Sequence, residues 1–303
     1  MPAALPVLRR LLPCCALTLG LAAAADAQTV IGEVREISFD APESWAMKYF
    51  TSVSLFTGLG VPEAREPGSV EIGLEASSVP QLSEAERTVG FGGTKAEDLN
   101  RSEVFGRPRI LVGLPARFTL EASYVPPIDI SGVEPELFAM AFSRPLAGGD
   151  RARLGGRLVV QRGTFEGDFT CSRDEIESGP NPFDCERPST DDMELDTVSL
   201  ELTGSLEAGR DGRWRPYLTV AGHRMDLEFQ VDSRYAGLVD RTLLLTDGET
   251  LSLAAGAQVR LGARGRLAAE VLWAPLEVVR PPRTATENDD LLHLRIGYSY
   301  RLC

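Results

Sequence analysis

From residue 68 onward, apolar and polar residues alternate with a period of two. That is the pattern of strands that turn one face to an apolar phase and the other to a polar one. In the last segment Leu292, Leu294, Ile296, Tyr298, Tyr300 and Leu302 share one face, and His293, Arg295, Gly297, Ser299 and Arg301 share the other. The same division runs through 70–76, 117–124, 197–206, 251–261 and 266–273. Four segments are less regular: 108–114, 136–144, 153–164 and 214–230. In 214–230 the phase changes, because Leu218 and Val220 are out of step with Met225, Leu227 and Phe229. An odd offset of this kind predicts a bulge at Gly222-His223. The count is ten strands.

Their connections alternate in length. Short links fall near Pro115-Ala116, Ala147-Asp150, Gly209-Gly212 and Ala263-Gly265; long ones span 79–103, 126–134, 166–196, 231–246 and 279–290. This predicts an all-β, antiparallel up-and-down barrel with turns at one end and loops at the other. A soluble, exported sandwich or lipocalin-like barrel also alternates, and is the competing reading. Three features favour a transmembrane barrel. Segments of nine to twelve residues match the ~9–11 needed for a tilted crossing of the hydrocarbon layer. The polar face carries charges suited to pairing across a narrow lumen. Trp273, Tyr298 and Tyr300 fall near strand ends, where interfacial aromatic girdles lie. A barrel this slim is filled by side chains. The expected lumen network comprises Glu71, Glu75, Arg157, Glu201, Glu270, His293, Arg295 and Arg301, and closure of the first strand on the last draws Glu71 and Glu75 toward Arg295 and Arg301.

The tail Gly297-Tyr298-Ser299-Tyr300-Arg301-Leu302-Cys303 resembles the closing strand of bacterial outer-membrane β-barrels of the small OmpA-type or porin-like class. That class usually ends on an aromatic residue, whereas here Leu302 is followed by Cys303. The resemblance covers 68–303. It implies an outer-membrane location, contact with outer-membrane lipid, and insertion by the barrel-insertion machinery, which reads this strand.

The N-terminal region differs. Arg9 and Arg10 precede an apolar run from Leu11 to Ala25, and Ala25-Asp26-Ala27 forms an A-x-A cleavage site, so residues 1–27 read as a secretory signal peptide. A lipoprotein signal at Cys14 or Cys15 does not fit, because most of the apolar run follows that pair. Residues 28–67 do not alternate. Trp45, Tyr49, Val53 and Phe56 recur at helical spacing between Pro42 and Phe56, behind Asp40 as a candidate cap. This segment is expected to form a helix and a lumen plug or periplasmic-side gate, or else an added hairpin that makes twelve strands. The barrel is assigned to 68–303.

Composition narrows the picture. The chain has 303 residues, 43% apolar and 25% charged, with a net charge of −13. Losing residues 1–27 removes two arginines and one aspartate and leaves −14. An acidic chain lacks the basic face that nucleic acid requires. Mean hydropathy is −0.07, as expected where a lipid face and a polar lumen alternate. Cys171, Cys185 and Cys303 remain after cleavage. In an oxidising compartment, Cys171 and Cys185 are expected to close a turn-rich loop, leaving Cys303 free.

Candidate chemistry is sparse. Between Glu166 and Asp196 lie eleven acidic residues and two basic ones, Arg173 and Arg187. Asp174, Glu175, Asp191, Asp192 and Glu194 mark this acidic loop as a contact surface. It has no EF-hand spacing, and no resident metal or cofactor is expected. The only histidines are His223 and His293. Neither sits in a recognisable nucleophile motif, and both read as lumen-facing polar residues. Asp226 and Glu228 with Glu166 and Asp168 are a weak candidate for a protease-like carboxylate cluster. The leading reading is a non-enzymatic barrel of structural or interaction type, or a narrow passive pore. The alternatives are gated passive transport of small or hydrophobic molecules and, less favoured, an outer-membrane hydrolase. The solute and the oligomeric state are not encoded in any legible motif.

Overall fold

A computed structural model describes residues 29–149, 151–208 and 213–303. The expected signal peptide lies outside the described residues. Ten antiparallel strands form one closed sheet: β1 (Val70–Ser78), β2 (Val104–Gly113), β3 (Thr119–Val125), β4 (Val133–Gly148), β5 (Ala152–Gly167), β6 (Asp191–Leu206), β7 (Trp214–Gln230), β8 (Leu243–Leu261), β9 (Gly265–Ala274) and β10 (Leu291–Arg301). Each pairs with its sequence neighbours, and β10 closes on β1 with Arg301 opposite Glu71 and Gly297 opposite Glu75. The wall has ten strands, not twelve. Val34–Glu36 instead runs parallel to 243–245 of β8 at the loop end, on the edge that β9 leaves free there.

The apolar faces explain the architecture. Leu200, Leu218, Leu251 and Leu294 point outward and are about 60% exposed, while Thr203, Thr219, Ser252 and Arg295 on the alternate positions are buried. Such an outward apolar belt around a polar interior is stable only against lipid.

The expected bulge at Gly222-His223 is absent. The register of β7 runs unbroken against both β6 and β8. What changes along β7 is the surroundings of each face. Near the turn end Leu218 and Val220 face lipid; near the loop end Met225 and Leu227 face inward and are fully buried. The same inversion occurs on β6, where Met193 and Leu195 point in and Val198, Leu200 and Leu202 point out. Above the belt the outward positions become charged, with exposed pairs Arg162–Asp196 and Arg224–Asp247. The strands therefore leave the membrane and continue as the wall of a water-facing cup.

That cup is filled from the N-terminal side. Helix α1 (Pro42–Val53) begins with Pro at its first position, where the missing N–H is harmless. Its cap is Ala41, which makes no side-chain cap bond; Asp40 instead accepts from Ser38. The helix ends at Val53, short of Phe56. Trp45, Met47, Tyr49 and Phe50 are buried with Leu99, Phe165, Phe169, Met193, Met225, Leu227, Leu244 and Leu272 in one core. The helix thus sits at the loop end, not at the turn end as a periplasmic-side gate. The strand Thr29–Ile31 pairs with 238–240 of the loop between β7 and β8.

Candidate functional site

Since helix α1 lies at the loop end and β1 starts at the turn end, residues 54–66 must run the length of the lumen. The lumen-facing side chains grip this thread by its backbone. The amide of Phe56 donates to Gln161 Oε1 at 2.8 Å, and that of Gly58 donates to Glu201 Oε2 at 3.1 Å. Arg107 donates to the carbonyl of Ser54, Arg109 to that of Thr57, and Arg295 to the Thr57 hydroxyl. Arg109 also lies 4.3 Å over the Phe56 ring. Gly58 is needed for close approach: a Cβ there would fall 1.3 Å from Arg157 Nη1.

The charges beneath the thread form two groups. In the middle, Arg157 bridges Glu121 and Glu201, the latter at 3.0 Å. Arg109 reaches Glu75 at 2.7 Å and Glu121 at 3.6 Å. Arg295 joins Glu75 to Glu270, the latter at 3.0 Å, and the Tyr217 hydroxyl donates to Glu270 at 2.7 Å. Toward the turn end, Glu63 of the thread receives Arg215, Arg266 at 2.5 Å, Arg153 at 3.5 Å and Arg260 at 3.6 Å. Arg65 pairs with Glu71 at 3.2 Å. Removing one partner from such a buried group leaves an uncompensated charge and costs about 3–5 kcal/mol.

Of the residues singled out from sequence, Glu75, Arg157, Glu201, Glu270 and Arg295 lie in the middle group, and Glu71 lies in the turn-end group. His293 is buried nearby with Nδ1 3.3 Å from the Ser78 carbonyl. Arg301 departs from this set: it stands exposed at the turn-end rim, because β10 ends there. Sequence reasoning missed Arg107, Arg109, Glu121 and Arg215, although each occupies the polar phase of its strand. It also missed Glu63 and Arg65, which lie in a stretch with no periodicity to read.

The disulfide joins Cys171 to Cys185, with Cα atoms 5.7 Å apart, and Cys303 is free and exposed. Strand alternation splits the acidic cluster. Asp191 points inward, fully buried, and accepts from the amides of Thr170 and Asp232 at 2.7 and 3.0 Å and from Ser189 at 2.7 Å. Asp192 and Glu194 point the other way. Asp174 and Glu175 start a short helix, Arg173–Glu177, and Glu175 pairs with Lys95 at 3.0 Å. Lys95 also meets Glu97 at 2.7 Å, tying the loop 79–103 to the disulfide-closed loop. Burial pushes the Glu97 carboxyl up to about 8, against the opposing pull of Lys95. Among the described residues no group of three or more His, Cys, Asp or Glu is placed to hold a metal. His223 is buried, with Nδ1 2.7 Å from Ser199 Oγ and Nε2 2.8 Å from Ser252 Oγ. Asp226, Glu228 and Glu166 occupy outward positions of β7 and β5, and Asp168 pairs with Arg101 at 2.8 Å.

No family model matches the chain, and no curated protein matches it. Among solved structures, it is similar to the translocator domain of the autotransporter NalP from Neisseria meningitidis, at 12% identity and a TM-score of 0.46, over 87% of this chain and 99% of that one. It is also similar to the outer membrane protease OmpT from Escherichia coli, at 12% identity and a TM-score of 0.40, over 78% and 94%. A third is Ail, the attachment invasion locus protein of Yersinia pestis, at 12% identity and a TM-score of 0.31, over 78% and 100%. With its closed ten-strand wall and its outward apolar belt, the chain has the fold of an outer-membrane β-barrel.

Proposed function

We propose that this barrel is a plugged, non-conducting outer-membrane protein of the interaction type. In this reading it holds its own N-terminal segment through the lumen and presents that segment, with the disulfide-closed acidic loop, at the cell surface. The observation that carries the reading is the thread 54–66, gripped by Gln161, Glu201, Arg107, Arg109 and Arg295. A solute path through the lumen would need that thread to leave its seat. Short turns of outer-membrane barrels face the periplasm and longer loops the outside, which puts Thr29 and helix α1 on the outer side. No catalytic step is part of the proposal. Outer-membrane lipid and the insertion machinery are its expected contacts, and the surface partner binds at the loop end.

The test has two arms. Planar-bilayer recordings of the full chain are expected to be silent, and an epitope placed ahead of Thr29 is expected to be reached by antibody on intact cells. Steady conductance, or an epitope reached only after the outer membrane is permeabilised, overturns the proposal.

A further inference from the structure

The N-terminal segment presents an unpaired sheet edge. Thr29–Ile31 runs parallel to 238–240, and Val34–Glu36 runs parallel to 243–245 of β8. The register does not slip between the two pieces: Thr29 stands opposite Leu238 and Val34 opposite Leu243. Residues 29–36 therefore lie on their neighbour as one strand, and each piece is the last strand of its sheet. The backbone shows which groups are used. The carbonyls of Ile31 and Glu33 accept from the amides of Arg241 and Leu243, and the amide of Ile37 donates to the Leu245 carbonyl, each at 2.9 Å. The N–H and C=O groups of the alternate residues, Val30, Gly32, Val34 and Glu36, point the other way. All of 29–36 is exposed, so no described residue covers that edge. Proteins normally blunt an open edge with charges, proline or a bulge. Of these four residues only Glu36 is charged, and Val30 and Val34 are 64% and 68% exposed.

The sequence selects the partner. Ile31-Gly32-Glu33-Val34-Arg35-Glu36-Ile37 is complementary to itself when a second copy runs the opposite way. With Val34 opposite Val34 of the second copy, Glu33 meets Arg35, Arg35 meets Glu33, and Ile31 meets Ile37. The free N–H and C=O of Val34 make this centre a hydrogen-bonded pair, and the Gly32–Glu36 pairs on either side are hydrogen-bonded too. The Glu33–Arg35 pairs then fall on the non-hydrogen-bonded positions, where opposed side chains come closest. A centre one residue away, at Glu33 or at Arg35, sets like charges opposite each other, which is destabilising. Within one chain Glu33 and Arg35 pair with each other at 3.3 Å, both more than half exposed, and a pair so open to water is weak.

We propose that the N-terminal edge binds the same edge of a second copy of this chain, by antiparallel strand addition centred on Val34. The contact is isologous, with the same patch on both sides of a two-fold axis. For two antiparallel strands that axis stands normal to the sheet. Since Val34–Glu36 extends the wall alongside β8, the two barrels point in opposite directions and belong to facing membranes. The pairing is thus a contact between cells. It rests on the outward placement of the loop end proposed above, and it names the surface partner. A contact this short binds weakly alone and gains from many copies held on two surfaces.

Lipid nanodiscs that each carry one full chain test this, with association of the discs followed by sedimentation velocity. Wild-type discs are expected to pair reversibly as concentration rises, and empty discs to stay single. Glu33→Arg and Arg35→Glu each place like charges at both flanking positions, and each is expected to weaken self-pairing about tenfold or more. Mixed together, these two variants regain opposite charges at both positions. Labelled in two colours, they are expected to pair with each other as tightly as wild type pairs with itself. Val34→Pro removes the central N–H from the free edge and no bond to β8, and is expected to abolish pairing. Heat-modifiable gel migration establishes that each variant is folded. Wild-type discs that stay single overturn the proposal and leave the edge to a strand of a different protein. Self-pairing that survives either charge reversal, or a mixture that pairs no better than its components, overturns the strand addition centred on Val34. Both ends of the barrel are accessible in a disc, so these results judge the pairing alone, while the epitope assay on intact cells judges the outward placement.

Discussion

Gly58→Val is the sharpest probe of the plug. The added Cβ would lie 1.3 Å from Arg157 Nη1 and 2.4 Å from its Cζ, so the guanidinium has to leave. Leaving breaks its contacts with Glu201 and Glu121, both buried. The penalty for breaking a buried pair is about 3–5 kcal/mol. At about 1.4 kcal/mol per factor of ten, the unseated population rises by about two to three and a half orders of magnitude. Gly58 lies in the lumen and contributes nothing to the lipid-facing side of the wall, so the wall itself is expected to fold. The assay is single-channel recording in planar bilayers, with heat-modifiable migration to establish the folded wall. The wild type is expected to be silent and Gly58→Val to flicker open. Gly204→Val is the control, because a Cβ there meets nothing within 4 Å, and it is expected to remain silent. A folded Gly58→Val barrel that stays as silent as the control would refute the argument that the thread is seated by this close contact.

Two further outcomes follow from the loop layer. Replacing Cys171 and Cys185 by Ser opens a loop of sequence separation 14; about 3 kcal/mol of local stability is expected to go with it. Hydrogen exchange at Thr170 and Ser189 is expected to speed up while the amides of β6 near Leu200 are unchanged. For Glu97 the folded value of about 8 lies above the ordinary 4.5. The protonated, buried carboxyl therefore stabilises the loop fully below the unfolded value, and this contribution is lost as pH rises through about 8. Protection of Leu99 and its neighbours is expected to fall between pH 5 and pH 9 in the wild type and to stay flat in Glu97→Gln.

The strand count and closure could be read from the chain because a membrane barrel imposes two solvents on successive residues, and the alternation records that imposition directly. The one error of phase is instructive. The offset between Val220 and Met225 resembles a bulge when a single apolar phase is assumed. In the structure the strand is regular and the apolar phase moves from outside to inside where β7 leaves the lipid. The lumen charges were legible where they alternate, as at Glu75, Arg157, Glu201 and Arg295. Glu63 was not, because the thread that carries it is not a strand and its side chains follow no period.

The two parts of the plug do different work, and their magnitudes say which. Trp45, Met47, Tyr49, Phe50 and Val53 are all less than 9% exposed; at about 1.5–3 kcal/mol for each large apolar side chain, the helix contributes of order 10 kcal/mol to docking. The backbone hydrogen bonds of the thread contribute about 0.5–1.5 kcal/mol net each, and more where the partner is charged. Helix α1 therefore supplies most of the affinity, and the lumen charges supply the position of the chain beneath it. The helix is also the inner half of the core that the upper strands need, since without it Met193, Leu195, Met225 and Leu227 would line a water-filled cup. Its partners include Leu99 and Phe169 of loops that close over it, and Lys95 pins those two loops together through Glu97 and Glu175. The N-terminal segment must accordingly reach the loop end before the loops close, and the disulfide-held layer then keeps it there. A local break such as Gly58→Val can unseat the thread without releasing the helix, which is why it is expected to produce brief openings rather than a permanently open barrel.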